Sequence, residues 1–209
     1  MPDGFEKLAS TMRQIRSGGP LFSSGDPFGS LYGVQEGFFK TSAVDGDGRW
    51  QVTGFFMAGD LLGLDGMDSG HYQLTATALE DSVVAVMPYP LVEMVTRESP
   101  HLQRELHMTL SREIAREHRQ IVLLGSMHAE RRLAAFLLNL SRRLKRRGHS
   151  PTEFNLRMTR ADIGSYLGLK LETVSRLFTR FHDSGMLEIR QKHVRLIDTD
   201  RLAALADPA

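Results

Sequence analysis

The hydrophobic period of the chain changes near Pro90. Before it, apolar residues come in short runs: Ser30-Leu31-Tyr32-Gly33-Val34, Gly37-Phe38-Phe39-Lys40-Thr41, Trp50-Gln51-Val52-Thr53-Gly54-Phe55-Phe56 and Ser82-Val83-Val84-Ala85-Val86-Met87. Turn pairs such as Gly18-Gly19-Pro20, Ser24-Gly25-Asp26-Pro27, Ala58-Gly59-Asp60 and Asp68-Ser69-Gly70 part them. β-prone runs broken by turns at about 8 to 12 residue intervals predict an antiparallel sandwich, roll or barrel. Asp45-Gly46-Asp47-Gly48 is the strongest hairpin signal among them. From Leu91 to Arg147 the pattern is helical and Pro100 is the lone proline. His107, Leu110, Ile114, Glu117, Ile121 and Leu124 follow one another at alternating steps of three and four, the a/d seam of a helix that pairs with a second copy. The stripe is narrow and flanked by Arg112, Glu113, Arg116 and Arg119, where a helix buried in a monomer core shows a wider apolar face. Glu117 within the seam weakens pairing unless it is hydrogen-bonded across the interface or protonated. Gly125-Ser126 breaks this helix, and a second runs from Ala129 towards Arg147, with Arg142, Arg143, Lys145, Arg146 and Arg147 suiting its C-terminal dipole and Gly148 as its stop.

Residues 159 to 197 carry a denser signal. Thr159 followed three residues later by Asp162 is a capping box with a shortened acid. Gly164 is small where two helices must cross closely, Gly168 lets the chain turn, and Val174 returns a β-branched side chain against the first helix, with Ile163, Leu167, Leu169 and Leu177 completing a small core. This is the spacing of a helix-turn-helix. Once Val174 and Leu177 face inwards, the 3.6-residue period turns Leu171, Glu172, Ser175, Arg176 and Thr179 outwards. Those side chains suit base edges: Arg176 can bond guanine O6 and N7 together, Glu172 can accept from cytosine N4, and Ser175 can bond either way. Thr159, Arg160, Lys170, Thr173 and Arg180 flank them as candidate contacts to the DNA backbone. A helix stop at Ser184-Gly185 and the stretch Met186 to Ile197 then predict a two-stranded wing.

The charge divides as well, but further along the chain, after His128. The formal net charge is +1, yet residues 1 to 128 hold 10 Lys and Arg against 16 Asp and Glu, a net −6, and residues 129 to 209 hold 16 against 9, a net +7. The basic part is the one with the helix-turn-helix, as a polyanion partner requires. The zero cysteine count excludes disulfides, cysteine-held iron–sulfur clusters and zinc, and thiol chemistry. No apolar run approaches the length of a membrane span, and Met1-Pro2-Asp3-Gly4-Phe5-Glu6 lacks a basic start and an apolar region, so a cytoplasmic protein is expected.

These segments together resemble the CRP/FNR superfamily of bacterial transcription regulators, and its FNR branch most. The likeness rests on Ala58-Gly59-Asp60-Leu61-Leu62-Gly63, on Ala129-Glu130-Arg131-Arg132-Leu133-Ala134-Ala135-Phe136 with Asn139-Leu140-Ser141-Arg142-Arg143, on Met158 to Gly164 with Tyr166-Leu167-Gly168-Leu169, and on Glu172-Thr173-Val174-Ser175-Arg176. The resemblance implies an α+β chain: a cyclic-nucleotide-binding-like β-roll (jelly roll) over 1–97, a dimerisation helix over 98–127 and a winged helix-turn-helix over 128–209. It further implies that Glu172, Ser175 and Arg176 read a TTGAT-like inverted repeat, that the partners are double-stranded DNA, RNA polymerase and a second copy of the chain, and that the protein is no enzyme. Two departures narrow it. The iron–sulfur oxygen switch of the branch needs cysteines, and this chain has none. Cyclic AMP binders of the superfamily carry an Arg-Ser where this chain runs His71-Tyr72-Gln73-Leu74-Thr75-Ala76-Thr77, and no arginine lies between Arg49 and Arg97 to meet a cyclic phosphate.

No metal or other cofactor is therefore expected. His71, His107 and His118 are single histidines without ligand spacing, which leaves a haem- or other small-ligand-responsive regulator as the alternative beside one that dimerises without a signal. A cupin-like enzyme with a helical appendage would need several strand-borne histidines, and one histidine precedes residue 100. A winged helix that contacts protein instead of DNA is the remaining reading, separable by the salt dependence of DNA binding.

Overall fold

The computed structural model describes residues 5–44 and 46–206; Met1 to Gly4 and Asp45, with which the expected hairpin turn begins, lie outside the described residues. The chain divides into two compact units, residues 1–117 and 118–209. The boundary falls inside a long helix, so the expected dimerisation helix is shared between the units.

In the first unit, β1 (Thr11–Ile15), β2 (Pro20–Phe22), β3 (Ser30–Glu36), β4 (Phe38–Val44), β5 (Trp50–Met57), β6 (Leu61–Leu62), β7 (Thr75–Ala78) and β8 (Ser82–Pro88) form two four-stranded sheets. Their orders are β1-β8-β3-β6 and β2-β7-β4-β5, with every pairing antiparallel. The four apolar runs of the sequence fall in β3, β4, β5 and β8, and the hairpin joining β4 to β5 closes with Val44 opposite Trp50. Four strands escape the apolar pattern for physical reasons. β1 is a sheet edge whose first four residues are all exposed, and β7 alternates threonine with alanine, so its buried Ala76 and Ala78 contribute little hydrophobicity. β2 and β6 are three and two residues long.

The roll is filled by aromatic rings. Phe22 stacks on Tyr72 with centroids 4.0 Å apart, and Phe28 meets the same ring edge-on at 5.4 Å. Tyr72 keeps its hydroxyl satisfied in this setting by donating to the Ser30 carbonyl at 2.8 Å, and burial raises its pKa above the usual tyrosine range. A second cluster joins Phe5, Leu8, Leu31, Leu61, Met87 and Val92. Val92 lies on α1 (Tyr89–Glu98), which ends at Ser99 before Pro100 opens α2 (Pro100–Ser126). Leu102 and Leu106, on the first turns of α2, pack against this cluster, and Arg116 lays its guanidinium 4.1 Å from the Phe56 ring centroid.

The second unit begins with the end of α2 and continues through α3 (Ala129–Lys145), β9 (Glu153–Asn155), α4 (Arg160–Leu167), α5 (Leu171–Asp183), β10 (Leu187–Arg190), β11 (His193–Leu196) and α6 (Thr199–Ala206). The break at Ser126 is where the sequence places it, while α3 ends at Lys145, capped by Arg146, and Gly148 closes the following turn at φ 77°. The expected two-stranded wing is corrected to a three-stranded sheet in the order β10-β11-β9. Glu153-Phe154-Asn155 is too short to signal a strand, but it pairs with β11 and places Phe154 opposite Val194, both buried. α6 was also hidden in the sequence; its Leu202 is fully buried and its Ala206 carbonyl accepts from Arg131 on α3. Among the described residues no helix is long and apolar enough to cross a membrane.

Candidate nucleic-acid interface

The helix pair is built locally. Thr159 is the N-cap of α4: its hydroxyl accepts from the Asp162 N–H at 3.0 Å, and the Asp162 carboxylate accepts from the Thr159 N–H at 2.9 Å, the reciprocal capping box expected from the sequence. Gly168 ends α4 in the left-handed region at φ 62°, so the turn reverses without a Cβ penalty. A Cβ on Gly164 would stand 2.6 Å from the Leu169 carbonyl oxygen and 3.5 Å from Val174 Cγ2, which is the close crossing expected there. Ile163, Leu167 and Val174 are fully buried and Leu177 nearly so. Burying four such side chains stabilises the pair by roughly 1.5–3 kcal/mol each before chain entropy is subtracted.

That core fixes the face of α5. Val174, Leu177, Phe178 and Phe181 point in, whereas Leu171, Glu172, Ser175, Arg176, Thr179 and Arg180 are exposed. Glu172, Ser175 and Arg176 therefore share one open surface, as their spacing implies. The flanking residues differ among themselves. Lys170 is the exposed N-cap of α5, and Thr173 is half-buried beside it. Arg180 forms an ion pair with Glu130 of α3. Arg160 is turned onto α5, with its guanidinium carbon 3.3 Å from the Phe178 ring centroid, and burial lowers its pKa to about 10. Its Nη1 is buried without a hydrogen-bond acceptor among the described residues, so the ring face supplies its main interaction. The wing adds Arg190 and Lys192, both exposed, around Gln191, which holds a left-handed φ of 56° at the tip. Neither is among the residues expected to contact DNA, although a basic pair at a wing tip is a visible signal.

Along α2 no residue is buried. Of the seam residues, His107, Ile114, Glu117 and Ile121 are exposed and Leu110 and Leu124 half-buried; Ile114 and Ile121 stand 53% and 66% open. An apolar stripe this open on a long helix marks an unfilled packing surface.

In the β-roll, the turns on either side of β6 are closed by carboxylates of the chain itself. Asp65 accepts from the Gln73 and Leu74 N–H groups at 2.8 and 2.9 Å, and Asp60 accepts from the Met57 N–H at 2.8 Å. These negative groups occupy backbone donors of the kind an anion would use. Among the described residues no group of three or more His, Asp or Glu is arranged to hold a metal ion.

Comparison with known proteins matches both units. A cyclic nucleotide-binding domain model matches residues 12–98, and a Crp-like helix-turn-helix domain model matches residues 131–205. The chain is 46% identical over 200 residues to the transcriptional regulatory protein btr of Bordetella pertussis, covering 96% of this chain and 83% of that protein. It is 43% identical over 204 residues to the fumarate and nitrate reduction regulatory protein of Escherichia coli strain K12, covering 98% of this chain and 82% of the relative. The structure of FixK2 from Bradyrhizobium japonicum superposes with a TM-score of 0.86 at 30% identity, over 95% of this chain and 98% of that one. Regulators aligned over nearly the whole length set aside the cupin-like enzyme reading. With an open face on the second helix of a capped helix-turn-helix and these relatives, the chain belongs to the CRP/FNR family of DNA-binding transcription regulators.

Proposed function

We propose that the protein works as a cytoplasmic homodimer that sets α5 of each protomer into the major groove of a TTGAT-like inverted repeat, without an iron–sulfur cluster and without cyclic AMP. The observation that carries this reading is the single open face of α5 bearing Glu172, Ser175 and Arg176 over a fully buried opposite face. Glu172 and Arg176 read base edges, Ser175 supports them, and Thr159, Arg160, Lys170, Thr173 and Arg180 surround them as contacts to the DNA backbone. The seam of α2 pairs the protomers, which fits half-sites about 34 Å apart. The roll serves as a regulatory module whose surfaces meet RNA polymerase. Its ring-filled interior, and the Asp65 carboxylate on two backbone N–H groups, favour a regulator whose activity is not set by a cyclic phosphate.

Fluorescence anisotropy on cognate and scrambled duplexes tests the reading. Arg176→Ala is expected to lose roughly 1–3 kcal/mol of discrimination, whereas Arg180→Ala weakens binding to both duplexes alike. Equal losses on the two duplexes for Arg176→Ala would remove it from base reading. Glu117 provides a second check. Its exposed carboxylate within the seam opposes pairing, so Glu117→Ala should tighten the dimer in sedimentation equilibrium. A dimer that is unchanged or weaker contradicts that role.

A further inference from the structure

An α-helix leaves its last four carbonyls without donors of its own. In α4 these belong to Gly164, Ser165, Tyr166 and Leu167. The turn itself serves the first two: the Leu169 N–H donates to Gly164 at 2.8 Å and the Gly168 N–H to Ser165 at 3.3 Å. The other two are capped from outside the helix pair. Gln120 Nε2, on α2, donates to the Tyr166 carbonyl at 2.5 Å, and Arg132 Nη1, on α3, donates to Leu167 at 2.9 Å. The same guanidinium donates through Nη2 to the Leu124 carbonyl at 2.7 Å, near the end of α2, and through Nε to Met127 at 2.8 Å, in the link between α2 and α3. One planar cation thus ties together the C-terminal ends of two helices and the connection between α2 and α3, at the negative poles where a cation is favoured. The turn lies tightly against it, since a Cβ on Gly168 would stand 3.3 Å from both Arg132 Nη1 and Leu124 Cδ2.

The donors and acceptors on α2 sit on the turns that end the apolar seam. Gln120 precedes Ile121, and Leu124 is the last seam residue. We infer that Arg132, seconded by Gln120, is a positioning residue for DNA recognition: it suspends the helix-turn-helix from the end of the dimer helix and so sets the half-site spacing that the dimer accepts. Both side chains bond to the C-terminal end of α4, and no acceptor of theirs lies on α5 among the described residues. Their contribution passes through the angle at which α5 is held, so its signature is the spacing of half-sites and not the identity of bases. The inference rests on the proposed paired reading of an inverted repeat.

The test compares binding to TTGAT and ATCAA half-sites at the preferred spacing and at spacings one base pair longer and shorter. One base pair turns a half-site by about 35° about the duplex axis. Wild type should favour the preferred spacing by about tenfold or more, since a rigidly held reading helix cannot follow that rotation. Arg132→Ala and the milder Gln120→Ala should narrow the preference to within about threefold while the preference for TTGAT over a scrambled half-site persists. Arg132→Lys, which keeps the charge but not the fork, should behave like the alanine variant. A merely destabilised domain would lower all affinities together and leave the spacing ratio alone. Thermal unfolding of each variant, with Gln120→Ala as the form least disturbed in folding, separates these cases. A spacing ratio retained in folded Arg132→Lys and Gln120→Ala overturns the positioning role. If wild type binds isolated half-sites as well as the repeat, the paired reading itself fails and the positioning role falls with it.

Discussion

Ile121→Asp is expected to sediment as a monomer at concentrations where the wild-type chain is a dimer, and to lose nearly all affinity for the inverted repeat. Ile121 is 66% exposed in the single chain, so replacing it removes little packing and should shift the unfolding midpoint hardly at all. Its energetic weight lies in the pairing. Two copies of the side chain would be buried across a two-fold seam, each contributing about 1.5–3 kcal/mol, and aspartates in their place would have to be desolvated beside one another. Burial alone then accounts for about 3–6 kcal/mol per dimer, a dissociation constant raised by roughly 10²- to 10⁴-fold. On the proposed paired reading DNA binding follows, because each protomer would contribute one reading helix and a lone helix-turn-helix would forfeit the second half-site. Ile114→Asp should act in the same way, being 53% exposed on the same stripe. The decisive measurement is sedimentation equilibrium paired with anisotropy on the repeat. An Ile121→Asp chain that still has dimer mass, or a wild-type chain that is already monomeric, removes α2 as the pairing element.

How much of this could be seen beforehand depended on where the physical signal resides. The helix-turn-helix was legible because its constraints are local: a capping pair three residues apart at Thr159 and Asp162, a glycine with no room for a Cβ at 164, and a left-handed glycine at 168. Each of these can be read in a window of a few residues. The long helix was equally plain, since a three and four spacing is a one-dimensional pattern, and the helix ends at Ser126, where the sequence places its break. The strands β1 and β9 were hidden because their identity comes from partners far along the chain: β1 pairs with β8 and β9 with β11. The partners of the charged side chains were hidden for the same reason. Nothing near Arg160 in sequence announces the Phe178 ring, and nothing near Arg180 announces Glu130, fifty residues away. Composition could place these arginines in a basic unit, but only the fold distinguishes one packed onto a ring from one paired to a carboxylate. Arg132 is the extreme case, a residue inside a basic helical run whose three bonded carbonyls lie on α2, the α2–α3 link and α4.

Gly164→Val should have the largest effect of any single change in the second unit. A Cβ at this position stands 2.6 Å from a backbone oxygen, that of Leu169, and a backbone atom cannot swing aside as a side-chain end can. The turn between α4 and α5 must therefore open. Opening it strains the 2.8 Å bond from the Leu169 N–H to the Gly164 carbonyl and lifts Val174 off its seat, where it is fully buried. Alanine meets the same clash, but it recovers about 1 kcal/mol of helix propensity relative to glycine, so its net cost is the smaller one. Valine adds two methyl groups against Val174 and gains less from propensity, and overpacking of this kind costs about 1–3 kcal/mol, more where backbone must move. The loss of recognition should exceed the loss of stability, because the N-terminus of α5 moves with the turn and, on the proposed base-reading role, would carry Glu172 and Ser175 out of register with the bases. Specific DNA affinity should fall at least about a hundredfold for valine, while the mass of the dimer stays that of wild type, since α2 is untouched. Urea unfolding followed beside anisotropy on the cognate duplex checks both halves of the claim. If valine at 164 binds and unfolds as glycine does, the close crossing is not what holds the reading helix in place.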